Sequence, residues 1–390
     1  MRSNRWCAKL AHMGDVDEAV LGARVREARE RAGLKQGELA SMVNLDRTAV
    51  NKIEGALRKV TALELSDIAR ALGVRMSTFF AEPIPALVSH RSANGLEVVD
   101  SNIDRLIADL ATDVELIQDL APTELGLDRL DQRIAELPLP RPSTMAEAET
   151  LASKARRLLG VEKDGPLRDL VEHVSAVGLL AFAVNLGPDT ADAGTILLRK
   201  GGVSLINSHN KVGRRRLALA HELGHYLIAD DYTIDWRVAD QQGSDIEACL
   251  DRFARALLLP ERGVREAWTR LIESYELREV AVQIGSEYRV DMATLARRLL
   301  ELGIIGSEEA SMVRAVTTRQ TDIVDFGLLV PLDLEGHSLA VPYQRAVLRA
   351  FRDERISRER ALELLRGNFD DEDLPTRRTR REDELWNFVS

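Results

Sequence analysis

Residues 214–228 read RRRLALAHELGHYLI, and this stretch decides the fold class. Its apolar residues recur at helical spacing, so it predicts a helix that carries His221, Glu222 and His225. Side chains four residues apart lie on one face of a helix, with Cβ atoms roughly 5–6 Å apart. Two imidazoles at that spacing can both reach one zinc ion at about 2.0–2.1 Å. The stretch therefore predicts a metal site with His221 and His225 as ligands.

Glu222 follows the first histidine, where its carboxylate projects beside a bound metal rather than onto it. A carboxylate in that place can accept a proton from the water that attacks a peptide bond, and the metal lowers the pKa of that water towards about 7. The motif therefore predicts a zinc metalloendopeptidase with Glu222 as the catalytic base. A degenerate peptidase fold that keeps the ligands without activity is the alternative.

A zinc ion that keeps one coordination position open for water needs a third protein ligand. Residues 244–260, SDIEACLDRFARALLLP, predict a second amphipathic helix, with Glu247 and Asp251 on a common flank. A carboxylate from such a helix can complete the site when the two helices pack together. Two imidazoles and a carboxylate favour Zn2+ without excluding Mn2+. Tyr226, Tyr232 and His209 are the candidates for stabilising the oxyanion, since all three lie near the motif in sequence.

The segment before the motif helix has a different pattern. Short apolar runs at 177–184, 194–200 and 201–207 predict three strands, and a glycine-containing turn joins the last two. A helix is expected at about 145–160, with Ser143 or Thr144 as its N-cap. Helical patterns dominate elsewhere, so the expected fold class is mostly α (α+β) with a small three-stranded sheet.

The first eighty residues predict four or five short helices, each with one apolar face. A helix that begins at Gln36 is followed by a turn at Asn44 and a second helix at Arg47–Glu54. The second helix can enter the major groove of DNA and present polar side chains to base edges. A small bundle used only for dimerisation is the alternative. The candidate DNA-contacting residues are Gln36, Arg47, Thr48, Asn51 and Lys52.

Charge supports a division of the chain. The net charge is −10, yet residues 1–80 hold 14 basic and 10 acidic side chains, so the acidic excess lies in the remainder. The two cysteines, Cys7 and Cys249, form no metal-type pair and suit a reducing, cytoplasmic location. The sequence has no apolar run of the roughly 18 residues that a membrane helix needs, and no signal peptide is expected.

Two family resemblances rest on these motifs. The segments KQGELASMV, VNKIEGALRKV and LSDIARALGVRMSTFF resemble the XRE (Cro/C1-type) helix-turn-helix family, which implies a homodimer on a two-fold operator. The motif helix, followed by E-x-x-x-D-x-F-A-x-x-L-L-L-P, resembles the ImmA/IrrE metallopeptidases over about 145–262. This resemblance implies zinc ligands His221, His225 and Glu247 with base Glu222, and leaves Asp251 as a second-shell partner or fallback ligand. The sequence departs from the family at Leu250, where alanine is usual.

The resemblances imply a DNA-binding peptidase with a zincin-like fold that cleaves a repressor-type transcription factor, itself a helix-turn-helix protein, in a stress or mobile-element response. A transcription regulator whose peptidase-like domain senses metal or a ligand without turnover is the alternative. The expected organisation is an N-terminal extension (1–18), a helix-turn-helix domain (19–82), a helical connector (83–144), a peptidase domain (145–306) and a C-terminal helical region with a charged tail (307–390).

The expected connector contains a stripe of apolar residues at helical spacing. Ile103, Leu110 and Ile117 recur every seven residues, which is typical of a helix that pairs with a second copy or packs against its own chain. Residues 277–305 predict a helical pair that packs on the peptidase core, with binding to a second stretch of DNA as the alternative. Residues 340–366 predict another pair of helices with Ser357 as an N-cap.

Overall fold

The computed structural model describes residues 18–72, 74, 76–80, 88–92, 101–127, 137–188, 190–229 and 241–376. These residues form two compact units, one within Met1–Ile84 and the other within Pro85–Ser390. Both units are mainly helical, and the second contains a small sheet. The expectation of a mostly α fold is confirmed. None of the helices in the described part of the chain is long and apolar enough to cross a membrane.

The first unit is a bundle of four helices followed by a short 3-10 helix. Its apolar faces meet in one core that includes Val25, Leu39, Val50, Ile53 and Ile68. The predicted helices that begin at Gln36 and Arg47 are confirmed at their starting residues. The helices are α1 (Glu18–Arg31), α2 (Gln36–Met42), α3 (Arg47–Glu54) and α4 (Ala62–Leu72), followed by the 3-10 helix Met76–Phe79.

The connection between α2 and α3 is a tight turn. Asn44 adopts φ 54°, a left-handed conformation that asparagine tolerates better than most residues. Asp46 then caps α3, because its Oδ1 accepts a hydrogen bond from the amide of Ala49 at 2.6 Å. This cap fixes where α3 begins and thus the angle at which it leaves the turn.

The sheet of the second unit has four strands in the order β1-β3-β4-β2. β2 (Leu179–Val184), β3 (Ala191–Leu197) and β4 (Gly202–Asn207) confirm the three predicted strands, and a hairpin joins β3 to β4. β2 pairs in parallel with β4. A fourth strand, β1 (Val88–Ser92), pairs antiparallel with β3. It comes from the stretch that was expected to be a helical connector, and that expectation needs correction.

Helices cover both faces of this sheet. Ala181 and Ala183 of β2 lie in the core formed with the motif helix, while the intervening Phe182 faces the other way because side chains alternate along a strand. The ring of Phe182 meets that of Tyr343 edge-on, with centroids 5.4 Å apart. Tyr343 belongs to a C-terminal helix, so the C-terminal region completes one face of the sheet.

The remaining helices of this unit are α5 (Ser101–Leu120), α6 (Pro122–Leu125), α7 (Met145–Leu158), α8 (Leu170–Ala176), α9 (Val212–Ile228), α10 (Gln241–Leu258), α11 (Glu261–Ile272), α12 (Leu277–Glu287), α13 (Met292–Glu301), α14 (Ser307–Ala315), α15 (Gln320–Asp325), α16 (Val341–Arg352) and α17 (Arg358–Leu364), with a final 3-10 helix at Asp371–Asp373. The predicted cap residues Thr144 and Ser357 are confirmed at the starts of α7 and α17. Helices α12 and α13 contribute to the core that also contains the motif helix, which confirms the prediction that they pack on it.

The apolar stripe of α5 is covered by the same chain. Ile103, Leu110 and Ile117 are at most 2% exposed, and α5 packs against β3, β4 and α16. At its centre, fully buried Asp113 accepts hydrogen bonds from Arg360 and Arg366 at 3.2 and 2.8 Å. The idea that this stripe pairs with a second copy is therefore wrong, because the single chain already buries it.

Candidate metal centre and nucleic-acid interface

Helices α9 and α10 pack closely at the motif. Gly224 on α9 makes this approach possible, since a Cβ there would lie 2.9 Å from Phe253 Cδ1 and 3.0 Å from Leu250 Cδ2. Both of these side chains belong to α10, so α10 is the neighbour that requires a glycine at this position. The close approach brings the carboxylate of Glu247 to the face of α9 that carries the two histidines.

His221, His225 and Glu247 form a compact cluster. Nε2 of His221 lies 3.0 Å from Glu247 Oε2 and 3.1 Å from His225 Nε2, and His225 Nε2 lies 3.4 Å from Glu247 Oε1. The histidine side chains are 2% and 5% exposed, while Glu247 is 43% exposed. Two buried nitrogens and a carboxylate thus converge on one point that opens to solvent on the Glu247 side.

This donor set fits a zinc ion. Ligand atoms at about 2.0–2.1 Å from a tetrahedral ion lie roughly 3.3 Å from one another. The three contacts within the cluster, at 3.0–3.4 Å, are close to that separation. Among the residues that the structure describes, these three form the one group of potential metal ligands. Their candidate ligand atoms all lie within 4.8 Å of one another. The chemistry of the donors and their spacing therefore agree.

Asp251 approaches the opposite nitrogen of His221. Its Oδ1 lies 3.0 Å from His221 Nδ1, so Glu247 and Asp251 occupy different sides of the same ring. A carboxylate on Nδ1 fixes the ring orientation and leaves Nε2 free to present its lone pair to a metal. The geometry thus favours Glu247 over Asp251 as the ligand candidate.

Arg255 is a neighbour of the site that the sequence analysis did not identify. Its Nη1 lies 3.9 Å from Asp251 Oδ2, and its guanidinium also pairs with Glu301. The i, i+4 spacing between Asp251 and Arg255 on a predicted helix is the signal that was present in the sequence. Arg255 therefore places a positive charge beside the carboxylate that contacts His221.

The cluster is electrostatically suited to a cation. Burial lowers the pKa of His221, but its contacts with Asp251 and Glu247 outweigh that effect and raise the pKa above its ordinary value. Burial raises the pKa of Glu247, yet hydrogen bonds with His221 and His225 dominate and hold it well below the usual range. The carboxylate therefore stays ionised, as a metal ligand must.

Glu222 is 1% exposed and lies on α9 directly after His221. Its position on the helix follows from the motif spacing, which turns it away from the ring of its neighbour by about 100°. The hydroxyl of Tyr226, proposed near the site, has another partner. The Tyr226 hydroxyl donates to the carbonyl of Val177 at 2.8 Å, and burial raises its pKa. This contact directs the hydroxyl towards β2 and not towards the metal cluster.

His209 is exposed in the turn after β4, before the first residue of α9. The cluster lies more than two helical turns further along α9, about 13 Å from its start at 1.5 Å per residue. The structure therefore gives Tyr226 no place as oxyanion stabiliser, and the role of His209 stays a prediction. Tyr232, a further candidate near the motif, lies outside the described residues.

The exposed face of α3 agrees with the predicted nucleic-acid interface. Arg47, Thr48, Asn51 and Lys52 are all exposed, while Val50 and Ile53 on the opposite face are buried. Gln36 has a different contact, since its Nε2 donates to Glu54 Oε2 at 2.9 Å. Gln36 thus joins the start of α2 to the end of α3 by a hydrogen bond within the domain. A contact between Gln36 and DNA stays a prediction.

We expect Gly224→Ala to destabilise the packing of α9 on α10. The added methyl group meets two fully buried side chains, and overpacking of this kind costs about 1–3 kcal/mol. Thermal unfolding and zinc titration measure the effect, and both stability and metal affinity should fall. Gly306→Ala is the matched control, because only one atom, Glu309 Oε2 at 3.9 Å, comes within 4 Å of the new Cβ. Equal stability of the two variants would contradict this account.

Comparison with known families gives two matches. A sequence model of the IrrE N-terminal-like domain, from a peptidase family, matches residues 190–300. This span runs from β3 to the end of α13 and includes His221, Glu222, His225 and Glu247. A helix-turn-helix model matches residues 25–79, which covers α2, α3 and α4. A search of curated proteins found no relative that matches the chain.

Proposed function

From a chain that joins an XRE-type helix-turn-helix domain to an ImmA/IrrE-type peptidase domain, we propose a zinc-dependent metallopeptidase that acts at DNA. In this proposal the protein works in the cytoplasm, where its DNA target lies. The observation that carries the proposal is the convergence of His221, His225 and Glu247, with Glu222 on the same helix.

His221, His225 and Glu247 would hold the metal, and Asp251 would orient His221. When bound, zinc would polarise the attacking water and the carbonyl of the scissile peptide bond. Glu222 would accept a proton from the water on its carboxylate and pass it to the leaving amine nitrogen. This proton transfer contributes about 10²–10⁴ in rate for a positioned general base.

The peptidase activity can be tested without knowing the natural substrate. The zinc-loaded chain is incubated with a library of peptides made from a digested proteome, and mass spectrometry identifies new termini. We expect cleavage by the wild type at a restricted set of sequences and none above background with Glu222→Gln. A zinc-bound wild type that cleaves no peptide and still binds DNA would support the alternative, a regulator without turnover.

We propose a helix-turn-helix repressor as the natural substrate. The support is the resemblance of the peptidase domain together with the fused DNA-binding domain, which would bring the peptidase to the sites that repressors occupy. Intact helix-turn-helix repressors, each purified and offered at equal concentration, form the test set. We expect the wild type to cut at least one of these repressors. The Glu222→Gln variant should cut none of them. Cleavage of unrelated unfolded proteins only would contradict this substrate class.

The proposed DNA contacts of α3 make a salt-dependence prediction. Replacing Arg47 by Ala should reduce the slope of log affinity against log salt concentration by about 1, because one phosphate contact releases about one counterion. The measurement uses double-stranded DNA selected for binding from a random pool. Arg70→Ala is the matched control, since Arg70 is 78% exposed and lies on α4. An equal effect of both substitutions would exclude α3 as the specific contact.

A further inference from the structure

β1 is the edge strand of the sheet and pairs with β3, the strand that lies beside the motif helix. It pairs antiparallel with β3 from Val88 opposite Ile196 to Ser92 opposite Ala191. Both β1 and β3 contact α9, the helix that carries the histidines. Peptides commonly bind proteins by adding a strand to a free sheet edge, where main-chain hydrogen bonds hold them extended. β1 therefore occupies a sheet edge of the kind at which extended peptides bind.

Two contacts fix how α9 lies along β3. Near the start of the strand, Arg214 Nε donates to Asp192 Oδ2 at 2.8 Å. At the other end, Gly202 pairs with Leu197, and a Cβ on Gly202 would lie 3.1 Å from Tyr226 Cδ2. Twelve helical residues span about 18 Å, and five strand residues span about 17 Å. The helix and β3 thus run in the same direction over a similar length, with Tyr226 lying against β4 beside the end of β3.

The metal cluster can be placed along β1 in this frame. His221 lies seven residues after Arg214, about 10.5 Å along the helix axis. The same distance from Asp192 along β3 is about three residues and ends at Thr195. Thr195 pairs with Ser89, and the preceding Gly194 pairs with His90. By these lengths along α9 and β3, the peptide bond between Ser89 and His90 falls at about the height of His221.

We propose that β1 is an intramolecular substrate strand and that the peptidase hydrolyses its own chain at Ser89–His90. This inference rests on the proposed function, because it needs an active peptidase. The oxygen of water bonds to the carbonyl carbon of Ser89, the C–N bond to His90 breaks, and the nitrogen of His90 takes up a proton. The products are a carboxylate at Ser89 and an amine at His90.

The cut separates the two compact units. The first product, residues 1–89, retains the whole helix-turn-helix unit, and the second, residues 90–390, retains the metal cluster. The cut also frees the outer edge of β3, since the pairing of β1 depends on a continuous strand from Val88 to Ser92. Self-cleavage thereby changes the protein from a DNA-bound form to a peptidase whose edge strand accepts other chains.

The test follows the full chain by intact mass spectrometry after zinc is added to metal-free protein. We expect two fragments that divide at Ser89–His90, a half-time that is unchanged by tenfold dilution, and at least about 100-fold slower cleavage in Glu222→Gln. Cleavage at a bond other than Ser89–His90, a half-time that lengthens on dilution, or equal cleavage of Glu222→Gln overturns the proposal.

Two further measurements separate this inference from the proposed function. The same preparations are given the peptide library. A wild type that cuts library peptides but leaves its own chain intact overturns self-cleavage alone. A wild type that cuts neither the library peptides nor its own chain overturns the proposed peptidase function as well. In uncut Glu222→Gln loaded with zinc, hydrogen exchange should show protected amides in Val88–Ser92, and Ser89→Pro should remove that protection. Unprotected amides in Glu222→Gln also overturn the proposal.

Discussion

Glu222→Gln is expected to reduce peptide cleavage by at least about 100-fold while the chain keeps its metal. The amide has nearly the shape of the carboxylate, so the packing around α9 is preserved. It cannot accept the proton of the attacking water, because a neutral amide nitrogen and oxygen lack the basicity of a carboxylate. Glu222 is not part of the cluster formed by His221, His225 and Glu247, so metal stoichiometry is unchanged.

Initial rates of peptide cleavage at saturating zinc measure this effect, with metal content determined on the same samples. Glu172→Gln is the control, since Glu172 lies on α8 outside the cluster. The Glu172→Gln control should cleave peptides at the rate of the wild type. Loss of metal from Glu222→Gln would show that the residue supports the site structurally, and retained activity would exclude it as the base.

Glu54→Gln is expected to destabilise the helix-turn-helix unit by about 3 kcal/mol, because removing one partner of a buried ion pair leaves the other charge unpaired. Arg29 Nε and Nη2 donate to the two oxygens of Glu54 at 2.6 and 3.0 Å. The side chains are 9% and 0% exposed. Gln36 donates to the same carboxylate, so the variant loosens α1, α2 and α3 together.

Hydrogen exchange of the full chain, read from peptides within residues 18–80, measures this loss as about 100-fold faster exchange. Glu30→Gln is the matched control, because Glu30 contacts the same Arg29 at 3.3 Å but is 61% exposed. Exposed ion pairs contribute about 0–1 kcal/mol, so exchange in this variant should stay near that of the wild type. Similar exchange in both variants would contradict the assigned role of the buried pair.

Local patterns predicted much of the fold. The helical spacing of His221 and His225, and the cap at Thr144, depend on neighbours in sequence, and the structure places each as expected. The same holds for α3, whose polar and apolar faces follow from its periodicity. Such features are readable because the interactions that produce them act over three or four residues.

Contacts between distant segments were not readable in this way. The pairing of β1 with β3 joins residues about a hundred positions apart. No turn motif and no alternation of polar and apolar residues near Val88 predicts a strand there. The burial of the α5 stripe by α16 and the sheet likewise depends on the C-terminal region returning to the sheet. A stripe of apolar residues shows that a helix is covered, but not by which partner.

The candidate site likewise contains residues that local sequence predicts and residues that only contacts between helices identify. Two ligand candidates and the base came from one helix, while the choice between Glu247 and Asp251 needed the geometry of a second helix. Only the structure shows that the two carboxylates approach opposite nitrogens of His221. The aromatic side chain that adjoins a ligand candidate in sequence, Tyr226, points elsewhere because neighbours on a helix face different directions.

The metal content of the purified chain tests the central claim most directly. Elemental analysis after zinc supply and removal of excess ion is expected to give about one zinc per chain in the wild type. Glu247→Ala should lose it, and Asp245→Ala, an exposed acid on the same helix, should retain it. A wild type without zinc, or a Glu247→Ala variant with the full amount, would contradict the metal site and the peptidase built on it.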